Sequence, residues 1–370
     1  MSSQILLMYI TEVSGHHCAT LAIEKAIKLI NPNISVININ GFKYVTPITE
    51  RVVHHIYLFV IKRLPFLWDF LYDNPFVISK SLKLKELINR RNQIKIKELI
   101  EQQKCRVVVC SQAFPCGFVA EYKKQNPQSN IKLIAVITDF VPHSFWLYDE
   151  IDYYIVSSEH AKQILINKGV RPEKIKVYGI PIDPKFSNIQ NKTTIGRELN
   201  ISLEQPVVLI MGGGHGLGPL KELIWKLENF KKTIQIIVVT GVNKKLFNYI
   251  KNIKSRHKIY CLGYVDFVDK LMTVADVIIT KPGGITTSEA LAKNLPMIII
   301  KPLPGQEQKN TTFLLEKGAA EIANNSDEVV LKLEELLVNQ DKIKIMKKSI
   351  SQIATPDSAK KIAQLAISLC

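Results

Sequence analysis

No Cys-x-x-Cys pair, no Asp-x-Asp, no Gly-Lys-Ser/Thr triplet and no uninterrupted apolar run of about 18 residues occurs in this chain. Each absence excludes something. The six cysteines (Cys18, Cys105, Cys110, Cys116, Cys261 and Cys370) are scattered, which argues against a disulfide framework or a zinc site and for reduced thiols. Without Asp-x-Asp a metal-held diphosphate is not indicated, and without Gly-Lys-Ser/Thr there is no Walker-type phosphate loop. The lack of a long apolar run, and of a charged-then-apolar leader ahead of Gln4, predicts a cytoplasmic protein that does not span a membrane. Internal repeats and low-complexity tracts are missing too.

Acid is in short supply. Asp and Glu number 33 against 49 Lys and Arg, a formal net charge of +16. Such an excess suits an anionic partner: nucleic acid, a membrane surface or a phosphorylated ligand. The plainer alternative is a compositional bias toward Ile, Lys and Asn. No helix-turn-helix or RNA-binding signature accompanies the charge, so nucleic acid is not expected.

What is present is alternation. Apolar strand-like segments fall at 5–10, 35–40, 106–110, 132–138, 153–158 and 176–180, and a second series at 207–212, 235–241, 259–264, 276–280 and 297–300, with helical stretches between them. This predicts parallel sheets covered by helices on both faces. At 370 residues two domains are expected, with the polar, Asn-rich stretch 183–206 as linker. Two doubly wound α/β domains, each Rossmann-like, would face a cleft at the carboxyl ends of their strands.

Several stretches carry candidate chemistry. VVLIMGGGHGLGPLKELI (207–224) reads as a strand, a glycine-rich loop and a helix. Glycine lets backbone N–H groups approach a diphosphate, and a helix N-terminus adds partial positive charge; the alternative is a tight turn that simply needs glycine. In KPGGITTSEAL (281–291) a helix is predicted over 286–294. There Thr286 and Glu289 fit a capping box, or Glu289 accepts hydrogen bonds from a ribose diol. In PLPGQEQKN (302–310) Gln306 and Glu307 can read sugar hydroxyls or simply face water. SGHH (14–17) opens the first helix, where a histidine can take a proton from an incoming hydroxyl. Finally, Tyr44–Asp73 crowds aromatics beside cations, and more cations follow up to Arg91. That suits either a surface dipping into lipid headgroups or an amphipathic core helix broken at Pro65.

Taken together, SGH, TDFVPHSFW (138–146), YGIPIDPKF (178–186), MGGGHGLGP and the KPGGITTSEAL to PLPGQEQKN block resemble the monogalactosyldiacylglycerol synthase and processive diacylglycerol glucosyltransferase family. That family is related to the lipid-linked N-acetylglucosaminyltransferase of peptidoglycan synthesis. The resemblance spans nearly the whole chain. It implies a glycosyltransferase-B fold and an inverting reaction with neither cofactor nor bound metal. The implied donor is UDP-glucose or UDP-galactose and the implied acceptor diacylglycerol or a related lipid, giving a β-glycolipid at an anionic membrane surface on the cytoplasmic face. His16 resembles the general base, with Asp139 and His143 on the acceptor side. Gly213, Gly214 and His215 would lie near the diphosphate, with Gly283 and Gly284 closing over it. Glu289 resembles the ribose-binding acid, and Gln306 and Glu307 the sugar contacts.

The expected division is an acceptor and membrane-associating domain over 1–183, a UDP-sugar domain over 184–354, and a helix in 355–370 packing back on the first. The first loop, TEVSGHH, is less glycine-rich than the family's, and its two adjacent histidines both remain candidates for the cleft. Rival readings are a UDP-N-acetylglucosamine transferase to a lipid-linked acceptor, a UDP-sugar epimerase or hydrolase, and a catalytically silent nucleotide-sugar-binding protein.

Overall fold

The computed structural model of the chain describes residues 4–45 and 94–370. From residue 46 on, the aromatic and basic stretch noted above lies outside the described residues. Two compact units result, one of Met1–Pro184 with Leu303–Gln306 and Asp357–Cys370, the other of Lys185–Pro302 with Glu307–Pro356. Each is an α/β unit built on a parallel six-stranded sheet.

The first sheet comprises β1 (Gln4–Tyr9), β2 (Ser35–Asn40), β3 (Cys105–Cys110), β4 (Lys132–Val136), β5 (Tyr153–Val156) and β6 (Ile175–Val177), in the order β2-β1-β3-β4-β5-β6. Its central strands are continuous apolar runs because helices cover both faces, and Ile5, Leu6, Leu7, Val107, Val108 and Val109 are fully buried. On one face the helix Gly15–Ile30 lays Ala22, Ile23, Ala26 and Ile27 into a core shared with Ala359, Ile362, Ala363 and Ala366 of the C-terminal helix Ser358–Ser368. The spacing of three and four puts each set on one helix face, and the alanines let the two helices approach closely. Ser14 caps the first of these helices, its hydroxyl accepting the His17 N–H at 3.3 Å.

The second sheet comprises β7 (Val207–Met211), β8 (Gln235–Val239), β9 (Lys258–Leu262), β10 (Val277–Thr280), β11 (Met297–Ile300) and β12 (Ala320–Ala323), in the order β12-β11-β10-β7-β8-β9. Read from β9, this is the 3-2-1-4-5-6 order of dinucleotide-binding sheets.

Differences from the sequence reading are local. β12 is an added strand, whose AEIA sequence is too short and alanine-rich to carry a β signal. The expected linker is partly helical, because Asn191 accepts the Thr194 N–H at 3.0 Å and caps Lys192–Glu198. Among the described residues no helix is long and apolar enough to cross a membrane.

Candidate functional site

In each sheet the chain leaves the first strand toward one side and later returns on the other, and a crevice opens outside the carboxyl ends at that switch point. In the first unit it lies between β1 and β3, where Met8 is in register with Cys110. The next residues on each side supply the candidate base and its support. His16, in the first turn of its helix, places Nδ1 2.8 Å from the Ser111 carbonyl oxygen and 3.0 Å from the Thr138 hydroxyl. A carbonyl oxygen can only accept, so Nδ1 carries the proton and the neutral ring keeps its lone pair on Nε2. The fully buried Ser111 also donates its hydroxyl to the His16 carbonyl at 2.9 Å, bracing the residue from both ends.

Packing encloses the imidazole although the residue as a whole is half-buried, and desolvation pushes its pKa down to about 4, with the Ser111 hydrogen bond working the other way. The ring is therefore neutral at physiological pH, as a base must be. The neighbouring histidine does something else. His17 stacks on Tyr9 with ring centroids 4.1 Å apart, and its Nδ1 donates to the Glu12 carbonyl at 2.7 Å. Of the two, His16 alone is tied to the β3 and β4 ends. Upstream, Thr11 sits at φ 65°, a left-handed conformation costly for a β-branched residue. The loop thus takes a glycine-like turn without glycine.

Asp139 follows Thr138 beyond the end of β4 and is half-buried. His143 is half-buried among aromatics, 5.7 Å from Phe145 and 6.0 Å from Trp146 between ring centroids, at the start of the turn Ser144–Trp146. In the same loop the Val141 carbonyl accepts the Gln306 side-chain amide at 2.7 Å, and Gln306 belongs with the first unit.

In the second unit the switch point lies between β7 and β10, where Met211 is in register with Thr280. Both glycine-bearing loops therefore start side by side. Some of their glycines are required by the fold itself. A Cβ on Gly212 would stand 2.3 Å from the Leu217 carbonyl oxygen, inside a turn closed by the Leu217 N–H to Gly212 carbonyl bond of 2.8 Å. The Gly213 and Gly214 carbonyls are taken up by the N–H groups of Gly216 and Val242. His215 is half-buried beside them.

Gly283 is different. At φ −68° its backbone suits any residue, and a Cβ would meet nothing within 4 Å, so neither strain nor packing explains a glycine there. It is the N-cap of the helix Gly284–Ala292, with no side-chain cap. That helix starts two residues before the expected position. Glu289 consequently lies in its second turn, and the capping-box reading fails because the cap is Gly283.

The block Gln306–Glu316 forms a helix that braces this turn. Glu307 pairs with the mostly buried Lys281 at 3.2 Å, and the buried Asn310 donates to the Pro282 carbonyl at 3.1 Å. Lys281, Ser111 and Thr138 escaped the sequence reading. Thr138 was within a quoted motif beside Asp139, whereas nothing around Ser111 announced a carbonyl aimed at a histidine 95 positions away.

Residues 16–182 match the family described as monogalactosyldiacylglycerol (MGDG) synthase, and residues 207–365 match the glycosyltransferase family 28 C-terminal domain. A processive diacylglycerol beta-glucosyltransferase of Bacillus subtilis (strain 168) is 30% identical over 98% of this chain and 94% of its own length. One from Bacillus pumilus (strain SAFR-032) is 32% identical over 88% of this chain and 84% of its own. The chain belongs to the processive diacylglycerol beta-glucosyltransferase family. Solved structures with the same fold include Acinetobacter baumannii MurG (TM-score 0.66, 16% identity, 99% of each chain) and the UDP-GlcNAc 2-epimerase of Neisseria meningitidis (TM-score 0.64, 14% identity, 99% of this chain and 100% of that one). The glycosyltransferase-B-like architecture expected from the sequence is thus the observed one. For this diacylglycerol glucosyltransferase family member, the first match begins at the candidate base and the second at the strand that leads into the glycine loop.

Proposed function

We propose that this chain is an inverting glycosyltransferase that moves a hexose from UDP-glucose or UDP-galactose to diacylglycerol, with the first unit serving the acceptor and the second the donor. The observation that carries the reading is the 2.8 Å contact of His16 Nδ1 with the Ser111 carbonyl oxygen, which fixes the proton on Nδ1 and offers Nε2 as a base.

The acceptor hydroxyl gives its proton to Nε2 as its oxygen bonds to the anomeric carbon. The bond from that carbon to the diphosphate breaks on the opposite face, and its electron pair leaves with UDP, giving a β-glycoside. Asp139 and His143 attend the acceptor. Charge gathering on the diphosphate is met by amides of Gly213 and Gly214, by His215 and by the uncapped helix start at Gly283 and Gly284, without a metal. Glu289 takes the ribose hydroxyls. Gln306 and Glu307 take the sugar. In this reading the protein works peripherally at an anionic membrane face, where diacylglycerol resides.

The test is UDP release by the purified chain from UDP-glucose, UDP-galactose and UDP-N-acetylglucosamine, each with and without diacylglycerol-containing vesicles. Lipid-dependent release from one hexose donor with a glycolipid product is expected. Lipid-independent release would replace transfer by hydrolysis or epimerisation, and preference for UDP-N-acetylglucosamine would replace the donor.

A further inference from the structure

Lys281 is the first residue beyond β10, so it stands at the carboxyl end of a strand that borders the second crevice. Its side chain is 12% exposed, and a lysine is almost never buried to that degree without a partner. The partner is Glu307, 26 positions later, and Nζ stands 3.2 Å from each of the two carboxylate oxygens. The ammonium thus grips both oxygens equally, which sets the direction in which the carboxylate points. The proposed transfer uses Glu307 and leaves Lys281 without a part.

Both ends of this pair are anchored. The Lys281 carbonyl accepts the Gly283 N–H at 2.9 Å and the hydroxyl of the buried Thr280 at 3.2 Å. Glu307 lies in the first turn of the helix Gln306–Glu316, where the helix dipole favours a carboxylate, and its own carbonyl accepts the Thr311 hydroxyl at 2.8 Å. An ammonium and a carboxylate in direct contact cancel most of each other's field beyond the pair, so Lys281 presents little net charge to a diphosphate. What the ammonium supplies is a fixed orientation for its partner.

We infer that Lys281 is a positioning residue for donor recognition: by gripping both oxygens of Glu307 it aims that carboxylate at hydroxyls of the UDP-hexose sugar, and it does not itself bind the diphosphate. The inference rests on the proposed role of Glu307 at the sugar. Its physical basis is preorganisation. A carboxylate held in place before the donor arrives loses little side-chain freedom on binding. A site that reads a hydroxyl discriminates well only while its acceptor stays where that hydroxyl will be. In the same reading the helix start at Gly283, a short way along the chain, serves the diphosphate, so recognition of phosphate and of sugar separate within one turn.

The test is calorimetric binding of UDP, UDP-glucose and UDP-galactose to the full chain, read as affinity for the UDP-hexose that the parent prefers relative to affinity for UDP. Lys281→Met, which keeps most of the side chain's length and removes its charge, should lower that ratio about 30-fold, the scale of one hydrogen bond to a charged group, while UDP affinity changes less than about twofold. Lys281→Gln, which still offers an N–H, should show the same split at about fivefold and stands in if the methionine variant melts early. Because Lys281 acts through Glu307, adding Lys281→Met to Glu307→Gln should change the ratio by less than about twofold. Equal losses of UDP and UDP-hexose affinity would overturn the inference, since they would put Lys281 at the diphosphate or in the fold alone. Additive losses in the double variant would overturn it too. A ratio lowered by Glu307→Gln but unmoved by either Lys281 variant would overturn this inference while keeping Glu307 at the sugar. If Glu307→Gln binds every donor like the parent, the sugar role of Glu307 fails and this inference falls with it.

Discussion

The crevice beside β1 and β3 is furnished by side chains, whereas the one beside β7 and β10 is furnished mostly by backbone. The first holds an enclosed imidazole between a carbonyl and a hydroxyl, with a pKa moved far from its ordinary value. The second offers glycine turns and an uncapped helix start, with Lys281 and Glu307 neutralising one another alongside. One topological rule thus provides two different tools. A titrating side chain suits moving a proton, while fixed amide dipoles suit a charge that develops on a leaving group and need no reorganisation.

The sharpest way to break this comparison is His16→Ala. Turnover should fall by about 10² to 10⁴ while UDP affinity, measured by calorimetry, stays put. Loss of UDP affinity instead would mean that the first crevice is not the proton site.

The glycines offer the reciprocal test. Gly283→Ala has room for its Cβ in the protein, so the melting temperature should hold while UDP affinity drops about tenfold, or ~1.4 kcal/mol. Gly212→Ala, forced against the Leu217 backbone, should instead destabilise the fold by about 1–3 kcal/mol in denaturant titration. If both behave alike, Gly283 is only a turn residue.

Thr138→Val removes one of the two groups at His16 Nδ1 and leaves the Ser111 carbonyl. A loss of about fivefold in kcat is expected, corresponding to roughly 1 kcal/mol for one hydrogen bond. An unchanged rate would leave Ser111 as the sole support.

The smallest effect concerns pH. With its folded pKa lowered from 6.5 to about 4, His16 stays unprotonated as pH falls through 6.5, so the acid limb of kcat/KM should lie below 6.5. The same shift has a sign for stability. The unfolded chain binds this proton first, so the contribution is fully present above 6.5 and declines as pH falls from 6.5 toward 4. An acid limb centred at 6.5 would show that the imidazole is not desolvated in the working protein.

Much of the architecture was legible in residue order alone. Buried parallel strands such as VVLIM and MIII carry continuous apolar runs because both faces are covered, and glycine and proline punctuate the loops after them. β12 was not legible, since AEIA gains its strand character only from pairing with Met297–Ile300. Nor was the start of the helix at Gly284, because its cap is a glycine with no side chain to signal it.

The sequence by itself determined the repeated α/β alternation, the two glycine-bearing loops and the histidine pair, all of which are properties of neighbouring residues. Only the tertiary structure decided which histidine is braced and that Glu307 meets Lys281. These depend on strand order, which brings residues far apart in the chain to one sheet edge. Hydrogen bonds and burial act only through such proximity in space.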